Sequence, residues 1–289
     1  MVYKLINNAN LKGYNNKKLL GAYMGNKLVE KLSAISSSTE EITPDILVMN
    51  FRVVTACLVG DPSELGNWFL VDTGLENSAD FILDTVKERF VNNSRPSAII
   101  LTHGHFDHVG SVIKLSELWD VPVYIHEKEI PYITGEKDYP LGDSTTDSGM
   151  VAKMSPTFPH TSINIKSKAK ALPSDGSIPG FPDWKWIPTP GHSEGHISLF
   201  RKKDRVLIAG DAITTTKQES LLSVVLQSEK IGGPPKYLTE NFILSEISAK
   251  KLKDLKPSTM IPSHGKVLKG EELTQHLDYL IKNFNEITK

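Results

Sequence analysis

Short apolar runs bounded by turn residues recur along the chain, and each reads as a buried strand. Ile46-Leu47-Val48-Met49, Val53 to Val59 and Trp68-Phe69-Leu70-Val71 are the first three, the last running into Asp72-Thr73-Gly74. A helix is predicted from about Ser78 to Phe90, with Phe81, Ile82, Val86 and Phe90 on one side, and it leads to the strand Ala98-Ile99-Ile100-Leu101. Past Phe106 the apolar positions Val109, Val112, Ile113 and Leu118, with Trp119, change to helical spacing. A strand over Val121 to Ile125 follows.

The second half repeats this order. After the strand Trp184 to Ile187, Ile197 to Phe200 and Val206 to Ala209 form a hairpin with Lys202-Lys203-Asp204 at its tip. The second hairpin strand ends in Gly210-Asp211-Ala212, a helix spans about Thr239 to Leu255, and Met260-Ile261-Pro262 ends in Ser263-His264-Gly265. In that helix Phe242, Ile243, Ile247 and Leu255 are expected on the buried side and Lys250, Lys251, Lys253 and Lys256 on the solvated one. Strand, acidic turn, helix and strand in both halves suggest an internal duplication about a pseudo-twofold axis. The expected architecture is α+β, two stacked sheets with helices on both outer faces, a four-layer αββα sandwich.

Residues 1–45 form an N-terminal extension expected to pack on the core, with a loop around Asn7 to Asn16, a short helix over Lys18 to Leu32 and a serine-rich connection. A lid or a homodimer contact are the other readings of this segment. Residues 46–289 form the main domain, interrupted by an insertion over 127–182 rich in Pro, Gly, Ser and Asp, with a short strand within Ser162 to Ala171. Tyr132, Tyr139, Phe158 and His160 of this insertion are candidates for lining a substrate mouth, or for plain packing.

Composition narrows the function classes. A net charge of -1 and a pI of about 6.8 give no bulk attraction to nucleic acid or anionic membranes. No apolar run approaches the roughly 18 residues of a spanning helix, and no signal-peptide core develops after Met1, so a cytoplasmic location is expected. Cys57 is the single cysteine, which excludes an internal disulfide, and its apolar run makes it a small buried residue.

The chemistry is concentrated in Thr102-His103-Gly104-His105-Phe106-Asp107-His108. If the chain stays extended past the strand end, His103 and His105 point to the same side and share one metal, while Asp107 and His108 at the mouth of the next helix face a second. So many histidines and a carboxylate cost too much desolvation and crowding to gather without a cation. His192, behind the turn at Gly191, suits a third ligand of the first metal. Asp211 ends an apolar strand and offers two oxygens, so it is expected to bridge, and His264 completes the second site with Asp107 and His108.

With these residues the sequence resembles the metallo-β-lactamase-fold hydrolases, in the glyoxalase II and lactonase-like region of that superfamily, from about residue 46 to 268. The resemblance implies one zinc on His103, His105 and His192 and another on Asp107, His108 and His264, joined by Asp211, with Mn2+ or Fe2+ as substitutes. It also places Asp72 near the site as an orienting partner rather than a ligand. His196 and His126 are expected to support the fold around the site, and His276 to lie at the surface.

The expected reaction is hydrolysis of an ester, thioester, lactone or phosphoester of a small organic substrate by a metal-bridging hydroxide, with Asp107 as the protein's proton carrier. Thr214 stands where related lactonases carry a Tyr, Cys57 is remote from the motifs that a thiolate-liganded lactamase requires, and no basic arm suits a transfer-RNA nuclease. The short stretch after His264 leaves no obvious room for glutathione-binding helices. The alternatives are a mononuclear iron enzyme resembling persulfide dioxygenases, and a catalytically idle metal-binding module.

Overall fold

The computed structural model describes residues 37–288 apart from 65, 91–93 and 227–228. The helix expected over Lys18 to Leu32 lies outside the described residues.

A seven-stranded sheet contains β1 (Ser38–Thr43), β2 (Ile46–Asn50), β3 (Thr55–Gly60), β4 (Trp68–Val71), β5 (Ala98–Ile100), β6 (Val123–Ile125) and β7 (Ala169–Ala171), hydrogen-bonded in that order. β1 to β4 run antiparallel, then β4 to β7 are parallel, with α1 (Ala79–Arg89) crossing from β4 to β5. The segment after β5 is two helices rather than one, α2 (Phe106–Val109) and α3 (Val112–Trp119). Short helices α4 (Ile130–Ile133) and α5 (Met150–Met154) precede β7.

The second sheet has β8 (Trp184–Pro188), β9 (Ile197–Arg201), β10 (Val206–Gly210), β13 (Thr259–Pro262) and β14 (Leu268–Lys269) in the order β14-β13-β10-β9-β8. β11 (Thr214–Thr216) pairs with β12 (Glu229–Gly232), and α6 (Leu221–Leu226) lies between them. β10 and β13 are parallel through the crossover α7 (Phe242–Asp254), matching β4-α1-β5 in the first sheet. α8 (Gly270–Lys282) and α9 (Phe284–Thr288) close the chain.

Alternation along the strands builds the layers. Ile46, Val48, Cys57, Val59, Phe69 and Val71 point inward and meet Ile197, Leu199, Val206 and Ile208 of the other sheet. Their neighbours Met49, Leu58 and Leu70 face outward onto Ile82, Val86 and Leu115 of α1 and α3, while Leu207, Ala209 and Met260 face Leu252, Leu273 and Leu277 of α7 and α8. The result is the expected four-layer αββα sandwich. Cys57 is buried between the sheets, and burial pushes its thiol pKa far up, so it is unreactive packing.

α7 corrects one expectation. Ile243 and Ile247 are 74% and 56% exposed, and the buried face is Ser245, Ser248, Ala249 and Leu252. The reason lies in the loop that carries His192. Gly191, at φ 137°, brings its backbone so close that a Cβ would overlap Ser245, and Ser248 Oγ donates to Pro190 O at 2.7 Å. Only small side chains leave space for that loop, so the hydrophobic positions turn away.

Candidate metal centre

The strand ends converge at one edge of the sandwich. Asp72 follows β4, His103 and His105 follow β5, His192 follows β8, Asp211 follows β10 and His264 follows β13. Asp107 and His108 sit in α2, whose N-cap is His105 in extended conformation. At this edge three sets of side-chain atoms lie close enough together to hold an ion: His103, His105 and His192; His103, His108 and Asp211; and Asp107, His108 and His264. All are buried.

Hydrogen bonds to the outer nitrogens fix which way each lone pair points. Thr102 Oγ1 donates its proton to Asp72 Oδ2 at 2.8 Å, so it accepts from His103 Nδ1 at 3.1 Å. His108 Nδ1 donates to Asp72 Oδ2 at 2.8 Å, and His264 Nδ1 donates to the carbonyl of Val53 at 2.7 Å. Thr239 Oγ1 donates to Pro235 O at 2.7 Å and accepts from His192 Nδ1 at 3.2 Å. In all four rings Nε2 therefore carries the inward lone pair.

Those lone pairs face carboxylate oxygens. Asp211 Oδ2 lies 3.1 Å from His192 Nε2 and 3.2 Å from His264 Nε2, while Oδ1 lies 3.3 Å from His108 Nε2. Asp107 Oδ2 is 3.6 Å from His264 Nε2. His105 Nδ1 sits between His103 Nε2 at 3.0 Å and His192 Nε2 at 2.9 Å. A cage of inward acceptors is unfavourable unless cations occupy its middle. His108 Nε2 and Asp211 Oδ1 are buried without a hydrogen-bond partner among the described residues, so the side chains here have the chemistry to hold a metal ion.

The electrostatics show a demand for positive charge in the cage. Burial, with the neighbouring imidazoles, holds His103 and His105 well below the ordinary histidine value. Burial also opposes charge on His108 and His264, but Asp211 and the other carboxylates outweigh it and push both upward. Asp211, resisted by burial, is held well below the usual carboxylate range by His264, His108 and His192.

The supporting residues stand behind the cage. Asp72 adopts φ 57°, a strained conformation for a non-glycine residue, and accepts from both Thr102 and His108. His196 accepts the Asp211 backbone N–H on Nε2 at 2.9 Å and bonds Thr189 Oγ1 through Nδ1 at 2.8 Å. It is neutral, its pKa lowered to about 3, first by burial and then by His192. Gly210, at φ 58°, leaves the space for this ring, since a Cβ there would come within 2.6 Å of His196 Nε2. His126 is partly buried against Trp186, away from the cage, and His276 lies near Glu229.

Glu129 is a residue that the motifs did not announce. Fully buried, it accepts from Gly104 N and Tyr139 through Oε2, and from Ser193 Oγ at 2.8 Å and Gly195 N at 2.9 Å through Oε1. One carboxylate thus ties the His103–His105 loop to the His192 loop. Among the candidates in the insertion, Tyr139 is buried behind this clamp with its ring against His105, and Tyr132 stacks on Tyr139. Phe158 lines a cleft over Asp107, Asp211 and His264, and His160 lines a groove beside it.

Among the described residues, no helix is long and apolar enough to cross a membrane. Comparison with known proteins agrees with the geometry. Residues 49–264 match the model of the metallo-beta-lactamase superfamily. The chain is 43% identical over 239 residues to the "Probable metallo-hydrolase YflN" of Bacillus subtilis (strain 168), covering 83% of this chain and 90% of that one. Among solved structures it resembles the Rm3 metallo-beta-lactamase, with TM-score 0.61, 15% identity and coverage of 90% of this chain and 96% of that one. A superfamily protein from Sulfolobus tokodaii superposes with TM-score 0.56 at 18% identity, covering 81% of each chain. The chain belongs to the metallo-beta-lactamase superfamily and is a metal-dependent hydrolase.

Proposed function

We propose that the chain hydrolyses an ester, thioester, lactone or phosphoester of a small organic substrate using two zinc ions. His103, His105 and His192 would hold one, Asp107, His108 and His264 the other, with Asp211 between them. The observation that carries this reading is the inward cage of imidazole lone pairs and carboxylate oxygens, which has no cation of its own. A single ion on His103, His105 and His192 would leave Asp107, His108 and His264 facing one another as acceptors, which disfavours the mononuclear iron alternative.

When bound, such a pair of ions lowers the pKa of water toward neutrality and polarises the substrate oxygen. The chain's own groups do the rest. Asp72, Thr102, Thr239 and the Val53 carbonyl keep the imidazoles in one tautomer and one orientation. Glu129 holds the two histidine loops in register. Asp107 lines the cleft, so its carboxylate takes a proton from the attacking water and delivers it to the leaving oxygen.

Chelation followed by readdition of zinc tests the reading. Hydrolysis of simple esters or phosphodiesters should vanish with chelator and return with zinc. Turnover unaffected by complete metal removal would overturn it.

A further inference from the structure

A cleft of about 90 Å³, open to solvent, lies over Asp107, Asp211 and His264. Its walls are apolar, built from Phe106 of α2, Met150 and Met154 of α5, Phe158, Val224 of α6 and Leu238. No lysine or arginine is among the described residues that line it. The cations nearby are engaged elsewhere, with Lys217 and Lys236 at 3.4 and 3.9 Å from Asp147 and lining a separate groove. A substrate bringing its own phosphate or carboxylate tail into these walls would lose hydration with no arginine or lysine to meet it.

Two polar side chains interrupt the wall. Gln218 is 3% exposed, and its Nε2 has no hydrogen-bond partner among the described residues. Tyr237 is 7% exposed and lines the same wall, and a phenol keeps its proton at neutral pH, so it is a donor. Apolar walls with a few placed donors are the usual make-up of a site for a neutral, mostly apolar ligand.

Resting on the hydrolytic reading above, we propose that the substrate is a neutral carboxylic ester carrying an apolar chain, with the chain against Phe106, Met154 and Phe158 and the polar end within reach of Tyr237 and Gln218. Water adds across the acyl–oxygen bond. Its oxygen bonds to the acyl carbon, the electron pair of the broken bond stays on the leaving oxygen, and one water proton ends there, giving acid and alcohol.

The test is kcat/KM of the zinc-loaded protein for p-nitrophenyl acetate, butyrate, hexanoate and octanoate, with bis(p-nitrophenyl) phosphate alongside. Calorimetry of the product carboxylates is the second readout. We expect kcat/KM to rise about three- to fourfold per added methylene until the chain leaves the cleft, since burying a CH2 is worth roughly 0.8 kcal/mol. The phosphodiester, which has no alkyl chain to lay against these walls, should be at least ~10-fold poorer than the hexanoate. Met154→Lys and Phe158→Ala should each flatten the chain-length series, and Tyr237→Phe should lower kcat/KM about tenfold while leaving its slope, the size of one lost hydrogen bond. Ester turnover without any chain-length dependence, or a preference for the phosphodiester, would overturn the proposal while leaving hydrolysis intact. Carboxylate affinity that rises with chain length in a protein without turnover would support the cleft and sink the hydrolytic reading. Neither turnover nor chain-length-dependent binding would sink both.

Discussion

Two buried charge clusters stand on neighbouring strands, and they solve the same problem in different ways. Arg201 ends β9, is 1% exposed, and carries its own counter-ions: Asp45 at 2.6 Å and Asp204 at 2.6 Å and 2.9 Å, with the guanidinium over the Trp184 ring. Asp211 follows β10, is 2% exposed, and among the described residues faces imidazole nitrogens and no lysine or arginine. In the first cluster the cation is part of the chain. In the second it has to come from solution, which is why one cluster is structural and the other is a site.

Breaking the second cluster should have the largest consequence. Asp211→Ala removes the carboxylate that lies against members of both proposed ligand sets, and we expect it to lose metal and to lower kcat/KM by at least ~10³-fold, as measured by elemental analysis and ester hydrolysis. Retained metal with full turnover would rule out the bridge. Breaking the first cluster should cost stability and spare the metal. Arg201→Met should lower unfolding free energy by about 2–3 kcal/mol in denaturant titration with the zinc content unchanged, because Asp45 and Asp204 are partly exposed and can rehydrate. Metal loss in that variant would show that the two clusters are coupled.

Glu129→Gln sharpens the contrast from the support side. Its amide cannot accept from all four donors, so the two histidine loops should loosen and metal affinity fall about 10- to 100-fold in a chelator competition, with the fold intact by circular dichroism. Unchanged affinity would reduce the clamp to packing. The smallest effect belongs to acid. Arg201, working against burial, helps hold Asp45 below its usual carboxylate pKa, so this pair stabilises the fold above the ordinary carboxylate range. That contribution disappears as pH falls through the lowered value, and in Arg201→Met the acid sensitivity seen in denaturant titrations at falling pH should be smaller, with the Thr43 hydrogen bond and Lys203 keeping the rest.

The ligand cage is legible because chemistry and position coincide in the sequence. Histidines and aspartates gathered where apolar runs stop are too costly to bury together without a cation, and the four-layer fold follows from the same strand alternation. Glu129 is not legible. It sits in His126-Glu127-Lys128-Glu129, which reads as a solvated charged turn, and only the approach of Gly104, Ser193 and Gly195 from two distant loops buries it. α7 departs from expectation for a related reason: hydrophobicity alone predicts the wrong buried face, because the close loop at Gly191 demands small side chains there. Apart from Phe158, a mouth candidate in the sequence, the cleft walls come from segments far apart in the chain, and no local pattern announces them.

If the cage takes up two cations from solution, the number of ions per chain shows it. Elemental mass spectrometry should be run on protein purified without chelators or a metal-affinity tag. Close to two zinc ions per chain are expected, falling to none in Asp211→Ala. A single iron per chain, or no metal in a folded and active protein, would contradict the two-zinc cage.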